Sequence, residues 1–177
     1  MGFSKSELRT ILPTQIAYLK VLGQTKSILQ PLGTDEDAIA KAVENAQREA
    51  FVSCGVDPDV GMKNLRLVVK EFRNDPDVIG AFTAMVQMEE MITVITISKN
   101  GGQQVTPDQV QAMTQTMQKG LIQSAKWTAG AVPAESLTNI TLTPGGPSAS
   151  ATASTSTATT SSSSSSTAKP AAPKMEK

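Results

Sequence analysis

Met91-Ile92-Thr93-Val94-Ile95-Thr96-Ile97-Ser98 is the stretch on which the fold turns. Its middle is β-branched, which favours a strand, and Lys99-Asn100-Gly101-Gly102 behind it is a strong turn signal. A strand needs a partner, and the choices are the very short 103–105 or the remote 137–142. An isolated hairpin is marginal in water. The competing reading continues a helix from Pro76. There Asp75-Pro76-Asp77 supplies a cap, a first-turn proline and an acid at the positive end of the helix dipole. Ile79, Phe82 and Val86, flanked by Met85 and Met88, follow at helical spacing. The helix is preferred, and a short β-hairpin near 91–105 is the alternative.

Working outward, the same start signals recur at Thr34-Asp35-Glu36-Asp37, Asp57-Pro58-Asp59 and Thr106-Pro107-Asp108. Behind each lies an apolar stripe: Ile39, Val43, Ala46, Ala50; Met62, Leu65, Val69, Phe72; Val110, Met113, Met117, Leu121. An earlier helix, over 13–30, presents Ile16, Leu19, Leu22, Ile28 and Leu29 and ends at Pro31-Leu32-Gly33. The others are expected over 35–51, 58–73, from Pro76, and over 107–127. The fold class is therefore all-α, a bundle of about five amphipathic helices in a domain spanning 1–128.

Residues 129–177 are read as a disordered tail rich in Ser, Thr, Ala and Pro. From 144 to 173 the sequence holds only Pro, Gly, Ser, Ala, Thr and one lysine, with an unbroken serine run over 161–166. Such a segment cannot bury enough apolar surface to offset ordering entropy of about 1–2 kcal/mol per residue. Its close, Lys169-Pro170-Ala171-Ala172-Pro173-Lys174-Met175-Glu176-Lys177, is mildly basic.

Composition narrows function more than any motif does. Sixteen basic and sixteen acidic residues balance to zero, so no basic face attracts phosphate backbones, and nucleic acid is a disfavoured partner. The absence of histidine removes imidazole bases and imidazole metal ligands. A lone Cys54 can form no intrachain disulfide or thiolate cluster. The opening residues lack the apolar run of a secretory signal, and no unbroken stretch approaches the ~18–20 apolar residues of a membrane span. A cytoplasmic location is expected, with membrane disfavoured as a partner. Glu89-Glu90 point about 100° apart on a helix and read as a solvated face rather than a catalytic pair. No Gly-rich phosphate loop, nucleophile elbow or Cys-x-x-Cys occurs. The chain is expected to be non-enzymatic, with no catalytic residue, cofactor, metal or small-molecule substrate.

What remains is contact. Residues 78–97 carry more apolar positions than one helix side can bury, and Met85, Met88 and Met91 recur every three residues. A helix apolar nearly all round is either central in its domain or shared with a partner, and adaptable methionines either fill a core poor in aromatics or line an interface. The expected interaction face is Phe82, Met85, Met88, Met91, Ile92 and Ile95, offered to a protein partner or to a second copy in an assembly subunit or homo-oligomer. One alternative lies in Leu32-Gly33-Thr34-Asp35-Glu36-Asp37-Ala38-Ile39, which resembles the start of an annexin repeat. That resemblance implies a peripheral membrane protein binding phospholipid through calcium, with loop carbonyls and an acid about forty positions on, near Glu71. The string departs from the family in having Pro31 at the first glycine of the loop and in occurring once. Met1-Gly2 with Ser6 has the skeleton of an acylation signal, against which Phe3 argues. A nucleic-acid-coating or virion-type structural protein is the third reading, drawn from the small helical body and its tail.

Overall fold

The computed structural model describes residues 2–101 and 105–146, and among these it is helical throughout, with no strand. The helices are α1 (Lys5–Gln24), α2 (Lys26–Leu29) with a 3₁₀ turn (Gln30–Leu32), α3 (Glu36–Ser53), α4 (Pro58–Leu65), α5 (Val68–Glu71), α6 (Pro76–Lys99), α7 (Pro107–Thr128) and α8 (Ala134–Thr138). The all-α class stands, with eight helices among the described residues rather than about five.

The differences have local causes. The first helix starts at Lys5, not Pro13, because Ser4 and Glu7 form a capping box: Ser4 Oγ accepts from the Glu7 N–H at 3.2 Å, and Glu7 Oε2 accepts from the Ser4 N–H at 2.7 Å. Pro13 sits inside α1 and Thr25 ends it at Gln24. The helix expected over 58–73 is broken between Leu65 and Val68, where the Leu67 N–H bonds Asn64 O in a tight three-residue turn. The β-hairpin alternative near 91–105 is overturned, since α6 runs unbroken to Lys99. β-branched residues lose only tenths of a kcal/mol each in a helix, and burial overrides that.

α6 is surrounded by α1, α3, α5 and α7. That explains a helix apolar on nearly every side. It buries Val78, Ala81, Met85 and Ile92 against Leu8, Ile11, Leu12, Leu19 and Leu22 of α1 and Val43, Ala46 and Phe51 of α3. Phe3 joins this core ahead of the first helix, its ring stacked on Phe51 at 6.0 Å between centroids. By length and composition α6 could also cross a membrane, a property that a count of unbroken apolar residues overlooks. In this fold it is the central helix.

α7 meets α6 differently from expectation. Val110, Met113 and Met117 are only half-buried and Leu121 is exposed; the buried positions of α7 are Gly120 and Ser124. They cross Gly80 and Ala84 of α6 so closely that a Cβ on Gly80 would lie 2.9 Å from Gly120 O, and one on Gly120 would overlap Gly80 O. Ser124 Oγ donates back to Gly120 O at 3.0 Å, which keeps its hydroxyl satisfied inside the crossing.

Beyond the expected boundary at 128 the chain lies against the helices. Arg9 donates to Trp127 O at 2.5 Å and Ala129 O at 2.9 Å, Leu142 packs on the core, and the Thr143 N–H donates to Glu49 Oε1 at 2.9 Å. The expected disorder of the tail falls, from residue 147 on, outside the described residues, as do its serine run and Gly102.

Candidate functional site

Of the six residues expected to form an interaction face, Met85 and Ile92 are 1% and 4% exposed and belong to the core. Phe82 and Met88 are half-buried and pack against that core. Met91 and Ile95 are half-buried, Ile95 in a small hollow with Gly23, Leu29 and Asn100. Two of the six are thus core residues, and the other four stay half-buried on α6. A second partly open surface of α6 faces α3.

It lies in a groove of about 500 Å³ between α3 and α6. Ala40, Val43, Glu44 and Gln47 of α3 form one wall, and Glu89, Glu90, Thr93 and Val94 of α6 the other; Met62 of α4 and Met113 of α7 complete the lining. None of these residues is basic. Repeats of about 3.6 residues place each set on one helix face, so the groove follows from two stripes meeting.

Glu89 is the unusual member. It follows Met85 by four residues and precedes Ile92 by three, so it sits on the buried stripe of α6 and not on a solvated face. Gln47 Nε2 donates to Glu89 Oε1 at 2.6 Å. Burial pushes the carboxyl up to about 7; the Gln47 bond opposes the shift and the neighbouring Glu90 charge adds to it. Gln47 is itself held, its backbone oxygen accepting from Gln15 Nε2 at 3.0 Å, while Gln15 Oε1 is buried with no partner among the described residues. Arg48, just outside the groove, bonds Glu44 at 2.9 Å and Asp59 at 2.7 Å. Sequence reasoning passed over Glu89 by treating Glu89-Glu90 as a unit. The available signal was the spacing Met85, Glu89, Ile92, Thr96, an acid on an apolar stripe.

The other sequence candidates are dispersed. Gly33 adopts φ +62 and its carbonyl accepts from Asn100 Nδ2 at 2.7 Å. Asp35, rather than Thr34, caps α3, with Oδ1 accepting from the Asp37 and Ala38 N–H groups at 3.1 Å each. Glu71 lies beside Gly2 and is not brought to the Gly33 loop. Cys54 is half-buried at the end of α3. Among the described residues no three acidic or thiol groups converge as a metal site.

Chemically the groove offers methionine and valine side chains with carboxylates on both walls, Glu44 on α3 and Glu89 and Glu90 on α6. That combination suits a side chain with an apolar stem and a cationic head: the stem desolvates against the walls while the head meets the acids. Comparison with family models, with curated proteins and with solved structures gives no match.

Proposed function

We propose that this chain is a non-enzymatic protein-interaction subunit whose α3–α6 groove receives a basic, apolar-flanked peptide segment of a protein partner. The observation that carries this reading is Glu89, a carboxyl held in the wall of a groove lined by Met62 and Met113, with no basic residue among the described residues that line it. Burying a carboxylate without a cation is costly, and a bound ammonium or guanidinium relieves that cost. Met62 and Met113 give the walls the adaptability that peptide grooves use. The acidic lining repels phosphate backbones, which weighs against a nucleic-acid-coating role. The Gly33 carbonyl already serves Asn100, which weighs against a calcium loop there. Self-assembly is a second reading, favoured by Ile122, 77% exposed on the outer side of α7 beside exposed Leu121.

Methyl-labelled methionine NMR on the full chain tests the groove. A short peptide of alternating lysine and leucine is expected to shift the Met62 and Met113 methyls and leave Met85 in place, and an alternating glutamate and leucine peptide to shift none. The double variant E89Q/E90Q should weaken the response. Equal shifts with both peptides, or no shift at Met62 and Met113, would sink the reading. For self-assembly, light scattering behind a sizing column should give an oligomer for the wild type and a monomer for I122E.

A further inference from the structure

The charge balance of zero conceals a division. Up to Gly146 the chain has 13 basic and 15 acidic residues; beyond it, three basic and one acidic. All the charge beyond Gly146 lies in the last nine residues, Lys169-Pro170-Ala171-Ala172-Pro173-Lys174-Met175-Glu176-Lys177. These also hold the one large apolar side chain beyond Gly146, Met175. Residues 1–146 are thus net acidic, and residues 169–177 are a short, net basic stretch in which Met175 lies between Lys174 and Glu176.

The chain leaves the described structure across α3 from the groove. Gly146 lies against the Asn45 carboxamide of α3, near enough that a Cβ on it would fall 2.6 Å from Asn45 Cγ. Glu44, the adjacent residue of α3, lines the groove on the neighbouring face of that helix. The detour is around one helix, roughly 10–12 Å across. The 23 steps from Gly146 to Lys169 are mostly small polar residues, and a flexible chain of that length spans about 26 Å root-mean-square. Reach is sufficient without extension. A segment tethered at this range has an effective concentration on the order of millimolar, so even a weak contact is occupied in cis.

We infer that residues 169–177 dock in cis into the α3–α6 groove, lysines toward Glu44, Glu89 and Glu90 and Met175 toward Met62 and Met113. The inference rests on the groove being a receptor for basic peptide and names the chain's own terminus as the occupant that an outside partner displaces. An outside basic peptide then binds the full chain more weakly than one whose terminus has lost its charge.

The test uses the full chain with methyl-labelled methionine. Replacing all three lysines (K169E/K174E/K177E) is expected to shift the Met62, Met113 and Met175 methyls and to leave Met85 unmoved. In the wild type, high salt should move the first three toward the variant's positions. Identical Met62 and Met113 signals in wild type and variant would overturn docking. Signals that change on about tenfold dilution would place the contact between copies and overturn docking in cis. Adding residues 169–177 as a free peptide to the variant separates the two claims. Shifts at Met62 and Met113 with that peptide, after none between wild type and variant, leave the groove a receptor and remove only the intramolecular occupant. No shift in either experiment removes both.

Discussion

Replacing Glu89 by glutamine should make the protein more stable at slightly alkaline pH and leave it nearly unchanged in mild acid. In the folded chain the Glu89 carboxyl titrates near 7 against an ordinary value of 4.5, chiefly because it is buried. A raised acid pKa means the folded state prefers the protonated form. As pH rises above about 4.5 the unfolded chain gives up this proton first, and folding loses free energy until the native group has ionised as well, above about 7. The displacement between those values, at about 1.4 kcal/mol per pH unit, bounds the loss near 3 kcal/mol, and solvent entering the open groove lowers it toward about 2. Glutamine has nearly the same size, and its carbonyl can accept the Gln47 bond. Urea denaturation followed by circular dichroism, for both proteins from about pH 4.5 to 8, measures the difference directly. Other groups, Glu44, Glu90, Arg48 and Asp59 around the groove included, are common to both chains. The difference should rise from near zero to about 2 kcal/mol across this range. A flat difference, or a variant less stable at pH 8, would refute the assignment of a buried carboxyl.

Gly120→Ala should destabilise by about 1–3 kcal/mol although alanine is the better helix former by about 1 kcal/mol, because its methyl overlaps Gly80 O; a urea midpoint at or above wild type would show the crossing to be looser. Asp75→Ala removes an N-cap that accepts from the Asp77 and Val78 N–H groups at 3.2 and 3.3 Å, together with the 2.7 Å Lys5 ion pair, and should lower stability by about 1–2 kcal/mol at neutral pH. Lys5 holds the Asp75 carboxyl below its ordinary value, so this contribution is fully present above the ordinary value and is lost as pH falls from there through the lower folded value. Asp75→Ala and wild type should therefore converge in acid, and a constant gap would argue against the pair. Phe3→Ala should cost about 3 kcal/mol by removing a buried ring stacked on Phe51, measurable as a drop in thermal midpoint.

Where a helix announced itself with chemistry, it was legible. Asp75-Pro76-Asp77 and Thr106-Pro107-Asp108 marked two starts to the residue, since cap, proline and acid act locally. Ser4 and Glu7 carried an equally local signal, masked by the weight given to Pro13, whose missing N–H a long, well-packed helix accommodates. The break after Leu65 has no proline or glycine at it and was not readable. In the site, periodicity located the apolar stripes of α3 and α6 but not which stripes face each other. Met85 and Ile92 were included in the expected face because tertiary burial is a property of neighbours. Glu89 was readable in principle, as an acid in step with Met85 and Ile92.

α7 carries its fully buried residues in its second half. Gly120 and Ser124 lie there, while Met113 sits two turns before Gly120, about 10 Å along the axis, on a stretch whose packed side chains are half-buried. Amide hydrogen exchange should run faster over the first two turns of α7 than around Gly120, and the part of the groove lined by Met113 can widen without opening the glycine crossing. If the groove is the proposed receptor for basic peptide, it would then accommodate lysine and the bulkier arginine alike at little cost to the core.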